Sequence, residues 1–70
     1  MQDESFSFVR WPRVIELTGL PQNTIRDLVK AGKFPAPVPL AARSVGFVKG
    51  EVDEWMRERI AARGRLRNGR

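Results

Sequence analysis

The chain begins with a polar stretch, residues 1–5, and then alternates through Ser5-Phe6-Ser7-Phe8 into Val9-Arg10. An apolar residue at every second position predicts a short extended segment. At Trp11 the period changes. Val14, Ile15 and Leu17 give an apolar stripe of helical spacing, opened by Trp11-Pro12, where the missing proline N–H leaves no donor unpaired. Thr18-Gly19 closes this helix, because glycine takes the left-handed conformation just past a helix end, and Leu20 follows as an apolar plug. A second helix is predicted from Pro21 or Gln22, with Ile25, Leu28 and Val29 on one face and Ala31-Gly32 as its stop. Two short helices joined by a tight turn containing Gly19 make a helix-turn-helix layout.

The pattern changes again over residues 34–48. Pro35, Pro37 and Pro39 rule out helix and central strand, leaving edge-strand or polyproline geometry with Val38 and Leu40 turned inward. Val45-Gly46-Phe47-Val48 is rich in strand formers. Together these predict a hairpin over Pro37 to Val48 with Arg43 near its tip. A third helix begins near Gly50, with Glu51, Asp53 and Glu54 suiting its positive end and Arg57, Arg59 and Arg63 its negative end. Val52, Trp55, Met56 and Ile60 form its predicted buried stripe, and Gly64 its predicted stop. The expected fold is mostly α with a small β-hairpin wing, a winged helix-turn-helix. The expected organisation is one domain over residues 1–63 and a basic flexible tail over residues 64–70.

Composition narrows the function. Seventy residues leave little room for an enzyme pocket and its scaffold. The absence of Cys and His removes the thiol nucleophile, the usual general base and the best transition-metal ligands. No catalysis, metal, cofactor or small-molecule ligand is expected. Without cysteine there is no disulfide framework, which fits a reducing cytoplasmic compartment. No apolar run approaches the ~18 residues of a membrane span, and Met1-Gln2-Asp3-Glu4 lacks a signal-peptide layout. Thirteen Lys and Arg against eight Asp and Glu give a net charge of +5, which favours a polyanionic partner.

The second helix is the candidate reader of double-stranded DNA. With Ile25, Leu28 and Val29 inward, Gln22, Asn23, Arg26 and Lys30 project outward, and Gln22–Arg26 and Arg26–Lys30 are spaced i, i+4. Gln and Asn can pair with adenine through two hydrogen bonds, and Arg with guanine. Thr24 suits a phosphate or a thymine methyl. Arg43 at the hairpin tip suits phosphates or a minor groove, and Arg13 and Lys33 suit the DNA backbone. A solvated helix face would show the same residue types, so the layout around them carries the argument. The six aromatic residues could stack on single-stranded bases, but Trp55 and Phe34 fall at core positions.

The run Trp11-Pro12-Arg13-Val14, then Leu17-Thr18-Gly19-Leu20 and Asn23-Thr24-Ile25, resembles the start of the AlpA family of prophage regulators. Gly32-Lys33-Phe34-Pro35-Ala36-Pro37-Val38, Arg43-Ser44-Val45-Gly46-Phe47 and Glu51-Val52-Asp53-Glu54-Trp55 extend the resemblance, which covers about residues 8–60. The family is similar to MerR-type winged helix-turn-helix proteins and phage excisionases. The resemblance implies DNA contacts by Gln22, Asn23, Thr24 and Arg26 on the helix and by Arg43 and Ser44 on the wing. It implies one of two roles: an excisionase (recombination directionality factor) that binds and bends attachment-site DNA beside an integrase, with neighbouring copies in contact along the duplex, or a transcriptional regulator of an integrase or element gene. Small size and the basic tail lean toward the first. A third possibility from another class is a protein-interaction module, an anti-repressor or integrase adaptor without base readout. The chain departs from the family pattern at Pro21, where a serine N-cap is usual, at Arg26, where an aromatic is common, and near Phe47.

Overall fold

The structure, a computed structural model, describes the backbone of residues 7–68 and the side chains of residues 7–64. The elements follow in the order β1 (Phe8–Val9), α1 (Trp11–Thr18), α2 (Gln22–Lys30), β2 (Val38–Ala41), β3 (Ser44–Val48) and α3 (Lys49–Asn68). Three helices and a small antiparallel sheet of strand order β1-β3-β2 make a winged helix-turn-helix. Of the predicted extended segment, Phe8-Val9 is strand, while Ser5 and Phe6 lie outside the described residues.

Both turns of the helix-turn-helix are built from local chemistry. Pro12 lies in the first turn of α1, where its absent N–H is harmless. At the far end Gly19 takes φ 75° and donates its N–H to the Ile15 carbonyl at 2.8 Å. The Thr18 hydroxyl donates to the Val14 carbonyl and accepts the Leu20 N–H, bracing the turn from both sides. Pro21 is the N-cap of α2 and not its first helical residue; it offers no side-chain cap, but its carbonyl accepts the Ile25 N–H. α2 closes in a paired motif at Gly32 (φ 74°). Gly32 N–H reaches the Val29 carbonyl and Lys33 N–H the Leu28 carbonyl at 2.8 Å, satisfying two end carbonyls.

The core takes one side chain from each of α1, α2, the α2–β2 connection, β3 and α3: Val14, Ile25, Phe34, Phe47 and Val52. Phe47 is fully buried and central. Trp11 meets it edge-on at 5.0 Å and Phe34 at 5.7 Å, and Phe34 in turn meets Trp55 at 4.8 Å. Such edge-to-face pairs add roughly 0.5–1.5 kcal/mol each beyond burial. The Trp55 indole N–H donates to the Lys33 carbonyl at 2.7 Å, tying α3 to the end of α2. Phe34 and Trp55 pack in or against the core, as their positions in the sequence indicate.

The wing differs from expectation in three respects. β1 adds a third strand beside β3, with Phe8 opposite Val48 and Val9 opposite Phe47. The two-residue turn Ala42-Arg43 contains no positive φ, the usual requirement of a tight hairpin, and the register shifts between Pro39 and Ala41. The bulge thus absorbs a twist mismatch that the turn does not. Leu40 is not inward: it is 39% exposed, lying over Gly46 on the face opposite Phe47. Because Phe47 is fixed in the core, its neighbour Gly46 turns to the opposite face of the sheet, where Leu40 covers it and Gly46 is buried. Val38, opposite Gly46, shares that outer face and is only half-buried.

α3 departs most. It runs past Gly64 to Asn68, so the predicted stop there does not end the helix. Ile60, a member of the predicted buried stripe, is 58% exposed and does not join the core, while Val52 is buried and Trp55 and Met56 pack partly against the core. Twenty residues of helix span roughly 30 Å, more than so small a core can cover. Among the described residues, no helix is long and apolar enough to cross a membrane.

Candidate nucleic-acid interface

The burial of α2 sets the direction of its side chains. Ile25 is fully buried and Leu28 and Val29 partly so, which turns the opposite arc of the helix to solvent. At about 100° per residue that arc centres on Asn23, Asp27 and Lys30, flanked by Arg26 and Gln22 on one side and Thr24 on the other. Asn23, Arg26 and Lys30 are exposed, and Gln22 and Thr24 half-buried.

Gln22, Asn23 and Arg26 come together around one open depression at the N-terminal half of α2. Two amides and one guanidinium supply paired donors and acceptors from a single surface. Lys30 stands apart as the last residue of α2, where the helix dipole also favours a cation. Lys33 follows in the closing turn, its backbone held by Leu28 and Trp55. Arg43 is exposed in the turn of the wing, and Ser44 is half-buried at the first position of β3. Arg13, exposed on α1, donates to Glu16 at 2.9 Å. An exposed pair of this kind holds at most about 1 kcal/mol, so a phosphate could displace Glu16.

Two neighbours of this surface are missing from the residues assigned to DNA from the sequence. Asp27 is exposed on the outward arc, four residues beyond Asn23, among the very groups assigned to DNA. A carboxylate there repels phosphates and accepts hydrogen bonds, as from a cytosine amino group. Helical spacing alone signals its position. Trp11 is the second: the Arg26 guanidinium carbon lies over its ring, 5.8 Å from the centroid. No periodicity links residues 11 and 26; the helix-turn-helix brings them together.

A second, wider depression lies between α2 and α3, with Phe34, Trp55, Glu51, Glu54 and Glu58 in its lining. Lys33 and Arg59 also line it, so its charge is mixed, whereas the residues around the α2 depression include no carboxylate.

Comparison with known families assigns the chain as a whole. The family model described as Prophage CP4-57 regulatory protein (AlpA) matches residues 7–60. The chain belongs to the AlpA family of prophage regulators. This AlpA-family chain is 43% identical over 58 residues to the "Uncharacterized protein ORF88" of Enterobacteria phage P4, covering 83% of this chain and 66% of that protein. It thus spans just under two thirds of the phage protein's length. It is also 37% identical over 57 residues to the "DNA-binding transcriptional activator AlpA" of Escherichia coli (strain K12), covering 73% of this chain and 81% of that protein. The stretch matched by the AlpA model contains every element through Ile60, so it takes in both the α2 surface and the wing.

Proposed function

We propose that this chain is a sequence-specific double-stranded DNA-binding regulator of a prophage or related integrated element, with a binding role and no catalytic one. α2 enters the major groove, where Gln22, Asn23, Arg26 and Thr24 meet base edges and Lys30 a phosphate. Arg43 and Ser44 on the wing and Arg13 on α1 hold the backbone. The observation that carries the reading is the gathering of Gln22, Asn23 and Arg26 at the first half of a helix pinned by a buried Ile25. That is the part of a recognition helix that reaches bases. Likeness to a relative named as a DNA-binding transcriptional activator supports transcriptional control as the role. The chain would act with the bacterial nucleoid.

A second role is supported by the wing. Leu40 at 39% and Val45 at 36% exposure flank Arg43, and exposed aliphatic side chains on a DNA-contacting element suit wedging between base steps. DNA bent in that way at an attachment site would serve excision, with integrase and neighbouring copies of the chain as further partners.

Gel-shift titration separates these roles. The chain is titrated against the element's attachment site, its integrase promoter and a random duplex of equal length. Preference for the promoter supports transcriptional control. Stepwise shifts and bending at the attachment site support excision. Equal affinity for all three contradicts sequence-specific binding and favours an interaction module that works through a protein partner.

A further inference from the structure

We propose that Trp11 is a positioning residue that holds Arg26 ready to read a guanine, so that α1 and α2 together form one reading head. The proposal rests on the reading of α2 as the base-contacting helix.

The geometry has three parts. Trp11 opens α1 and meets the fully buried Phe47 edge-on at 5.0 Å, so its ring is anchored in the core. Its partly exposed side receives the Arg26 guanidinium. Among the described residues Arg26 has no carboxylate partner and donates none of its N–H groups. Arg13 and Arg57, by contrast, are each paired with a glutamate three residues away. Contact with an aromatic ring engages the charge of a guanidinium and leaves its N–H donors unused. Those donors are what a bidentate pairing with guanine O6 and N7 requires.

The consequence is specificity prepared before DNA arrives. A free arginine loses rotamer freedom when it docks, whereas one already resting on an anchored ring loses less. The gain falls on the base pair that Arg26 reads. Contacts made by Asn23, Lys30 or Arg43 are unaffected. Loss of the ring is therefore expected to reduce discrimination about two- to tenfold, the size of an exposed cation–π contact plus part of one side chain's ordering cost.

The test uses the full chain and the tightest-binding duplex enriched from a random pool. Trp11→Leu, Trp11→Phe, Arg26→Ala and the Trp11→Leu/Arg26→Ala pair are titrated against that duplex, its single-base-pair variants and a random duplex. In the unbound wild type, NMR records the Arg26 side-chain protons. The expected result is an upfield ring-current shift of those protons that Trp11→Leu removes. Trp11→Leu should lose discrimination only at the guanine that Arg26→Ala also stops reading, with random-duplex affinity kept. Trp11→Phe should keep most of it, and the double variant should lose no more than Arg26→Ala. A Trp11→Leu loss spread evenly over every duplex, or losses that multiply in the double variant, would overturn the positioning role while leaving Arg26 as reader. An Arg26→Ala variant that keeps every base preference would overturn the reading of α2 as well. Should Trp11→Leu fail to fold, absence of the ring-current shift in the wild type overturns the proposal on its own.

Discussion

α2 and the first half of α3 both carry an apolar stripe in sequence, yet the structure uses the two helices in opposite ways. α2 has nine residues and is fixed at both ends, by the braced Thr18-Gly19-Leu20 turn before it and the Gly32 closing motif after it. Ile25 anchors its middle, so its outward side chains occupy defined directions. α3 has twenty residues, but Val52, Trp55 and Met56 lie in its first half, and at Ile60 the helix has left the core. Beyond it, Ala61, Arg63 and Gly64 are exposed. A helix that must place donors against base edges needs the first arrangement; one that serves as buttress and basic extension tolerates the second.

The difference can be tested by substitution. The largest expected effect is that of Phe47→Ala, which removes the ring that joins both halves and should cost about 3–5 kcal/mol, measured by urea denaturation. Next, Arg26→Ala and Arg63→Ala should separate the helices by function. Arg26→Ala should weaken binding to the preferred duplex by roughly 5- to 150-fold, with random-duplex affinity nearly kept. Arg63→Ala, outside the α2 surface and the wing, should leave every base preference unchanged and change affinity for all duplexes alike if at all. Val52→Ala should cost about 1–3 kcal/mol and Ile60→Ala less than about 0.5, because one is buried and the other exposed. A costly Ile60→Ala would mean that the far half of α3 packs after all. The smallest effect is that of Gly64→Ala. An added Cβ there meets nothing within 4 Å, so it should raise the helicity of the far half by up to about 1 kcal/mol of local stability. Hydrogen exchange would show it in residues beyond Ile60 and not in α2.

The same contrast explains what the sequence made legible. Elements whose signals are local were readable: proline near the start of α1, glycine after α1 and α2, and the i, i+3, i+4 stripe of Ile25, Leu28 and Val29. The family resemblance rested on those runs, and the match over residues 7–60 agrees with it. Features decided by tertiary contact were not readable. Ile60 fits the helical stripe of α3, but no period reveals that the core ends before reaching it. Leu40 was read as inward together with Val38 on an edge strand, whereas the orientation of Phe47 puts both on the opposite face of the sheet. Gly64 carries the usual stop signal, yet the helix continues to Asn68; nothing in the structure explains why it is overridden there. Within the candidate site, outward positions on α2 follow from the stripe. The pairing of Trp11 with Arg26 follows only from the fold, and Asp27 was within reach of the same spacing argument that found Asn23.

The central claim is that the first half of α2 reads base sequence. Selection of duplexes from a random pool by the purified wild-type chain, repeated with Arg26→Ala, tests it most directly. The account predicts one enriched motif for the wild type and the loss of a single guanine preference in the variant, with the rest of the motif intact. A pool that stays random, or a variant that enriches the same motif as the wild type, would contradict it.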